Sequence, residues 1–372
     1  MIGRFPRRTM DGHFEQARTL FLEGVAHYQA GRFSGAEQKF AAALALVPGR
    51  ASVLTNLGAV RLKLGRAEEA LAVLQEALRL EPGNAEALGH CATALAELGR
   101  LEEAVATFDR ALAADDRPAA PWMLRGTALR ELGRGEEAAA SFRQALARGG
   151  DAELLGYYLA SVQEAQPPAR PPRQYVEALF DRYAGEFEQH LVQGLDYHAP
   201  RVLAQRLAAQ QRTWEHALDL GCGTGLCGPL LRPLARRLTG IDLSAGMLEK
   251  AAALRVYDEL RQADVVEFLA AGEGSFDLVV AADVFIYVGA LDEVFAALAR
   301  RMPSGGTFCF TVEESARQPL ELRPSLRYAH SEGHVRELSQ RHGFRIVHAE
   351  RRPVRTEQRQ PIPGLFLWME RT

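Results

Sequence analysis

Three glycines follow an aspartate at every second position in the segment Asp219-Leu-Gly-Cys-Gly-Thr-Gly225. The apolar residues before this segment predict a strand, and the residues after it predict a helix. Glycine adopts positive φ angles and lets the backbone approach a ligand that a Cβ atom would exclude. The segment therefore predicts a loop that cradles a cofactor at the carboxyl end of a strand.

Glycine spacing alone does not identify that cofactor. The stretch Gly223-Thr-Gly-Leu-Cys-Gly228 also satisfies the dinucleotide pattern, and Asp242 lies 19 residues after Gly223. Asp219, however, can accept a hydrogen bond from an ammonium group, whereas it would repel a pyrophosphate. This carboxylate favours a cofactor that carries an amino group.

Two further carboxylates extend the pattern. Asp242 ends the second expected strand and suits ribose hydroxyl groups, while Leu243 and Met247 offer apolar groups to an adenine face. Asp264 lies where a third strand could end and could recognise the exocyclic amine of adenine. An ammonium, a ribose and an adenine together describe S-adenosylmethionine.

Alternating strands and helices must position these residues. Strands are expected near 216–220, 238–242, 276–282, 306–312, 344–350 and 364–369, with helices between most of them. This alternation predicts a mainly parallel sheet covered on both faces, with the ligand at the carboxyl ends of its strands.

Residues 174–372 resemble the class I methyltransferase family in these spaced motifs and in the strand run Phe276-Asp-Leu-Val-Val-Ala-Ala-Asp283. The resemblance implies a Rossmann-like domain with a mostly parallel seven-stranded sheet. It implies that Asp219 binds the methionine amino group, Asp242 the ribose, and Asp264 with the Val265 amide the adenine edge. The other implied cofactor contacts are Gly221, Gly223, Gly225, Leu243, Met247, and Ala281 or Asp283 beside the methionine.

Residues 175–191 are similar to the lid helices of small-molecule methyltransferases, with Tyr183 and His190 as polar candidates. Methyl transfer from a sulfonium mainly requires that the acceptor be held near the methyl group and that water be excluded. Where the acceptor must lose a proton, Tyr287, His330 or His190 is the expected base.

The first half of the chain is a repeat array. Gly-Arg pairs recur every 34 residues, at Gly31, Gly65, Gly99 and Gly133. Each repeat predicts two amphipathic helices, and the pattern resembles the tetratricopeptide family over about 17–152. The expected domains are an array at 1–165, a Pro-rich linker at 166–173 and the methyltransferase domain at 174–372.

Composition limits the function classes. The chain has a net charge of −3, so nothing favours nucleic-acid binding. The nucleic-acid methylation motif Asn/Asp-Pro-Pro-Tyr is missing after the fourth strand. Four scattered cysteines predict neither disulfides nor a metal site, and no apolar run is long enough for a membrane span. A cytoplasmic protein is expected.

These observations predict a methyltransferase that uses S-adenosylmethionine and acts on a protein or a small molecule. The concave face of the array is expected to dock a protein partner or substrate. An adaptor, whose methyltransferase-like domain binds the cofactor without catalysis, is the alternative.

Overall fold

The computed structural model describes residues 7–163, 166–183, 197–272, 274–357 and 360–372. At 7–11 and 181–183 only the backbone is described. The chain divides into two compact units, residues 1–163 and 164–372.

The first unit consists of paired α-helices, as the 34-residue period predicts. Its helices within the described residues are α1 (Arg7–Gln29), α2 (Phe33–Leu46), α3 (Ala51–Lys63), α4 (Ala67–Leu80), α5 (Ala85–Glu97), α6 (Leu101–Ala114), α7 (Ala119–Glu131), α8 (Gly135–Ala147) and α9 (Ala152–Val162). The helix-pair array is confirmed, and α9 follows the last pair.

A left-handed glycine ends the first helix of each pair. The φ angle lies between +70° and +74° at Gly31, Gly65, Gly99 and Gly133. In the second pair, the Gly65 amide donates to the Leu62 carbonyl at 3.0 Å and the Arg66 amide donates to the Arg61 carbonyl at 2.9 Å. These bonds satisfy the last carbonyl groups of α3, which explains the recurrence of glycine there.

A second recurrent position allows the two helices of a pair to approach closely. It is occupied by Gly24, Gly58, Ala92 and Gly126, which are 34 residues apart. A Cβ atom on Gly58 would lie 2.4 Å from Cγ of Leu74, and one on Gly126 would lie 2.5 Å from Cε1 of Phe142. Both partners are fully buried, so a larger residue at these glycines would have to displace the core.

The second unit contains a sheet with helices around it. Its helices are α10 (Arg173–Tyr183), α11 (Ala199–Ala208), α12 (Gly228–Leu231), α13 (Ala245–Ala253), α14 (Val265–Ala270), α15 (Asp292–Arg301) and α16 (Glu332–Arg341). Its strands are β1 (Trp214–Leu220), β2 (Ala235–Asp242), β3 (Glu259–Gln262), β4 (Leu278–Ala281), β5 (Thr307–Glu314), β6 (Leu320–Leu322), β7 (Tyr328–His330), β8 (Phe344–Glu357) and β9 (Gln360–Arg371).

Five strands pair in parallel in the order β3-β2-β1-β4-β5, and β9 then joins β5 in the antiparallel direction with β8 beyond it. One apolar core packs the sheet against α14, α15 and α16, and another packs it against α11 and α12. The expected mostly parallel sheet with helices on both faces is confirmed. Because β1, β2 and β4 are parallel neighbours, their carboxyl ends share one edge of the sheet.

A short hairpin adds two strands to the expected seven. β7 pairs with Glu313 and Glu314 of β5, while Glu313 also pairs with Gly364 of β9. The hairpin β6–β7 therefore lies on the side of β5 where β4 has already ended. These two strands were not among those expected from the sequence, because strands of three residues carry too little alternation to be recognised.

The Pro-rich segment 166–173 belongs to the second unit and contacts β7 and the residues before α15. The Tyr328 hydroxyl donates to the Pro168 carbonyl at 2.8 Å, and the Ala290 amide donates to the Ala169 carbonyl at 2.8 Å.

Within the described ranges, no helix combines the length and the apolar character needed to cross a membrane.

Replacement of Gly58 by Ala tests the close helix approach. We expect Gly58→Ala to lower the free energy of unfolding of the array by about 1–2 kcal/mol. The added Cβ atom overpacks the core, and this destabilisation exceeds the stabilisation that comes from the higher helix propensity of alanine. Urea unfolding of the full chain, followed by helical circular dichroism, measures this change.

The matched control is Gly156→Ala in α9, where a Cβ atom would meet nothing within 4 Å. This change should stabilise the array by about 0.5–1 kcal/mol. Equal stabilisation by both substitutions would contradict the proposed packing.

Candidate functional site

The glycine loop after β1 has the backbone shape that its sequence predicts. The φ angles are +70° at Gly221, +55° at Gly223 and +91° at Gly225. A Cβ atom on Gly221 would lie 2.7 Å from Cγ2 of Val284, and one on Gly225 would lie 2.7 Å from Cδ1 of Leu254. Conformation and space therefore both require glycine at the first and third of these positions.

Asp242 joins this loop to the end of β2. Its Oδ2 accepts a hydrogen bond from the Gly223 amide at 2.9 Å, and its Oδ1 accepts one from the Ser244 amide at 2.9 Å. A carboxylate accepts about four hydrogen bonds, so these two do not preclude bonds to the hydroxyl groups of a ligand. The side chain is only partly buried, at the edge where the strands end.

Asp219 lies deeper, at the end of β1, and is 1% exposed. Tyr257 donates a hydrogen bond from its hydroxyl to Asp219 Oδ2 at 2.6 Å. Burial raises the pKa of Asp219 to about 7, with a further increase from Asp242, against the opposing hydrogen bonds from Tyr257 and Cys227. Tyr257 was not identified from the sequence, because it stands in a connection without a recognisable motif.

The expected adenine contacts lie along the next strand ends. Asp264 caps α14, accepting hydrogen bonds from the Val266 amide at 2.8 Å and the Glu267 amide at 3.0 Å. Leu243 and Val265 are partly buried, whereas Met247, in the first turn of α13, is fully buried. These positions cluster near the expected edge, and their contacts with a cofactor stay predictions.

Asp283 follows β4, after the fully buried Ala281, and has a left-handed backbone with φ +59°. Such a conformation is costly for a residue with a Cβ atom and persists where surrounding contacts enforce it. Its amide donates to Thr311 Oγ1 at 2.8 Å, and its carboxylate accepts two bonds from Nη1 of Arg355, at 2.8 and 3.0 Å. The strained residue is thus held from both ends.

Arg355 is buried among three carboxylates. Besides Asp283, it contacts Glu313 and donates from Nε to Glu357 at 2.6 Å, and its side chain is 1% exposed. Burial alone would lower the pKa of Arg355, but its carboxylate neighbours raise it above its ordinary value. β8 places this arginine far from the glycine loop in sequence, and no motif pointed to it.

Two arginines from the hairpin side complete the cluster. Arg323 binds Glu313 at 2.7 Å, and Arg327 contacts Glu357. Arg327 also places Nε 3.3 Å from the Tyr287 hydroxyl. The cluster therefore reaches from the end of β4 to one of the expected bases.

Tyr287 is partly buried and contacts the expected lid helix. Its ring lies 5.0 Å from that of Phe180 in α10, at an interplanar angle of 80°. The side chain of Tyr183, farther along α10, and the whole of His190 lie outside what the structure describes.

His330 is fully buried at the end of β7. Its Nε2 lies 2.6 Å from the Gly289 carbonyl, which can only accept, so Nε2 carries the proton. Nδ1 has no hydrogen-bond partner among the described residues. Burial lowers the pKa of His330 to about 4, so the ring is neutral near neutral pH.

Asp277 accepts hydrogen bonds from the Glu215 and His216 amides at 2.9 and 2.8 Å, at the opposite end of β1 from the glycine loop. No group of acidic, histidine or cysteine side chains in the described part of the chain could hold a metal ion.

Comparisons with known families agree with this arrangement. A family model for a methyltransferase domain matches residues 218–310. Models for tetratricopeptide repeats match residues 12–51, 21–85, 61–127 and 119–148. The first match begins at the end of β1 and includes the glycine loop.

Curated relatives are methyltransferases. Methyltransferase-like protein 27 of Homo sapiens is 38% identical over 119 residues, which cover 31% of this chain and 46% of that protein. A malonyl-[acyl-carrier protein] O-methyltransferase of Erwinia billingiae is 35% identical over 108 residues, covering 28% of this chain and 40% of that protein. The matches thus span less than half of either relative.

Among solved structures, the 1,6-didemethyltoxoflavin-N1-methyltransferase of Burkholderia thailandensis aligns with 56% of this chain and 93% of its own, at 21% identity and a TM-score of 0.44. From the matched family models and curated relatives, the chain carries a methyltransferase domain of the S-adenosylmethionine-dependent class, C-terminal to an array of tetratricopeptide repeats.

Proposed function

We propose that this chain transfers the methyl group of S-adenosylmethionine to a protein or small-molecule acceptor, and that the array docks a protein partner or substrate. The observation that carries the proposal is the Asp242 carboxylate, which binds both the glycine loop and the turn after β2. That contact joins two neighbouring strand ends around one polar group, as a nucleoside site requires.

In this proposal each strand end binds a different part of the cofactor. Asp219 and the glycine loop receive the methionine part, Asp242 receives the ribose, and Asp264 faces the adenine. The charge-assisted hydrogen bonds from a ligand to these carboxylates are stronger than neutral hydrogen bonds. The three aspartates therefore account for most of the specificity of the site for S-adenosylmethionine. Leu243, Met247, Val265, Ala281 and Asp283 complete the proposed contacts.

The sulfonium of S-adenosylmethionine supplies an already activated methyl group. The chain must therefore hold the acceptor in line with that group and exclude water. Phe180 and Tyr287 form an aromatic contact between α10 and the end of β4, which suits a wall of the acceptor pocket. Tyr287 stays a candidate base for an acceptor that must lose a proton.

Transfer is tested with the full chain and a cofactor labelled in its methyl group. After incubation with a cell extract, we expect label in either the protein fraction or the small-molecule fraction, and the fraction identifies the acceptor class. Cofactor binding without label in either fraction would favour the adaptor alternative.

The role of Asp242 is tested by Asp242→Asn. We expect the full chain to lose about 2–4 kcal/mol of binding free energy for S-adenosylhomocysteine, because an amide cannot replace charge-assisted acceptance of two ribose hydroxyl groups. Isothermal titration calorimetry measures the affinity.

Asp277→Asn is the matched control, since Asp277 also accepts two backbone amide bonds but lies at the opposite end of β1. Both variants should lose stability, and only Asp242→Asn should lose cofactor affinity. An equal affinity loss in the two would show that the effect of Asp242 is purely structural.

A separate prediction concerns His330, whose pKa is lowered by burial from 6.5 to about 4. The unfolded chain binds a proton between these values and the folded chain does not, so the free energy of unfolding falls as the pH falls through this window. We expect His330 to account for a loss of about 2 kcal/mol between pH 7.5 and pH 5.

Urea unfolding of the full chain at the two pH values measures this loss, with His330→Gln as the variant that cannot titrate. The loss should shrink by about 2 kcal/mol in the variant. An unchanged loss would mean that the ring titrates normally in the folded chain, as a general base near neutral pH requires.

A further inference from the structure

Tyr257 lies between α13 and β3, and its ring fills the space behind the glycine loop. A Cβ atom on Gly228 would lie 2.8 Å from Cζ of Tyr257, and one on Gly240 would lie 2.9 Å from its Cε1. At Gly225 the corresponding distance to Cε2 is 3.2 Å. Three glycines therefore leave room for this one ring and restrict its movement.

The ring delivers a single hydrogen-bond donor to Asp219. The hydroxyl lies 2.6 Å from Oδ2 of a carboxyl group that is 1% exposed. Burial, with a contribution from Asp219, raises the pKa of Tyr257 above its ordinary value, so its hydroxyl keeps its proton. Tyr257 therefore always donates, and it stabilises the ionised form of Asp219.

The other titratable groups that interact with Asp219 give no equivalent support. They are Asp242, Cys227, Cys222, Cys309 and Tyr197. Cys227 is a weak donor, and Asp242 repels the charge. None of these groups is a cation, so in the described part of the site a bound ammonium would be the first positive charge at Asp219.

We propose that Tyr257 is a positioning residue for the cofactor's amino group: its hydroxyl acts through the Asp219 carboxylate and favours the ionised form of that group before the cofactor binds. This inference rests on the proposed function. An ammonium group gains most from an ionised carboxylate, so the affinity for the cofactor depends on how much of Asp219 is already ionised.

The test is the affinity of the full chain for S-adenosylhomocysteine between pH 6 and pH 9, measured for the natural protein and for Tyr257→Phe. The ratio of the two Kd values removes the titration of the ligand's own amino group. Without the donor, Asp219 should need a higher pH to ionise. We expect Tyr257→Phe to bind about tenfold more weakly at pH 6 and almost equally at pH 9.

Two further variants separate positioning from structure. Tyr328→Phe removes another buried hydroxyl, which donates to the Pro168 carbonyl at 2.8 Å, and it should leave the ratio near one at every pH. In an Asp219→Asn background, Tyr257→Phe should lose its pH-dependent effect, because the titrating partner is gone.

A ratio that does not change with pH, whether equal to one or larger, would overturn the inference and leave the proposed function standing. Failure of the natural protein to bind S-adenosylhomocysteine at any pH would overturn the proposed function, and the inference with it. Thermal unfolding of each variant shows that the comparison is made between folded proteins.

Discussion

The buried guanidinium of Arg355 is the contact on which the region after β4 in the methyltransferase unit depends. It binds Asp283 after β4, Glu313 in β5 and Glu357 at the end of β8. Arg323 and Arg327 bring the cluster to three cations and three carboxylates, so its charges balance, and Arg355 and Glu313 are its most deeply buried members. Removal of Arg355 would leave the buried carboxylate of Glu313 without this cation and would cost several kcal/mol.

This cluster explains why the chain departs from a plain seven-stranded sheet. The long strand β8 carries Arg355 and Glu357, and the turn between β6 and β7 carries Arg323 and Arg327. Arg355 reaches Asp283, which follows β4 and has a left-handed backbone. The additional hairpin thus brings two more charged groups to this cluster instead of merely widening the sheet.

The sequence predicts the parts of the molecule whose causes are local. The Gly-Arg turns and the glycine loop depend on backbone conformations that only a few residue types adopt, so their spacing could be recognised directly. The contacts of Tyr257 with Asp219 and of Arg355 with Asp283 join residues 38 and 72 positions apart. No local pattern encodes such pairs, because they arise only when the sheet has assembled.

His330 shows the same limit of prediction from sequence, in this case for the titration of a side chain. As a residue type it is suited to accept a proton. In the folded chain, however, His330 is fully buried and its Nε2 lies 2.6 Å from the Gly289 carbonyl, which is distant in the sequence. The sequence shows which group can titrate, but the surrounding packing decides at which pH it does.

The two acids at the ends of β1 and β2 illustrate how one edge of a sheet can hold two carboxylates in different environments. Asp242 is partly buried and accepts hydrogen bonds from two backbone amides. Asp219 is enclosed and relies mainly on one phenol, and the neighbouring charge of Asp242 opposes its ionisation. Asp219 directly precedes the glycine loop that Asp242 binds, so the two carboxylates interact, and the charge of Asp242 raises the pKa of Asp219.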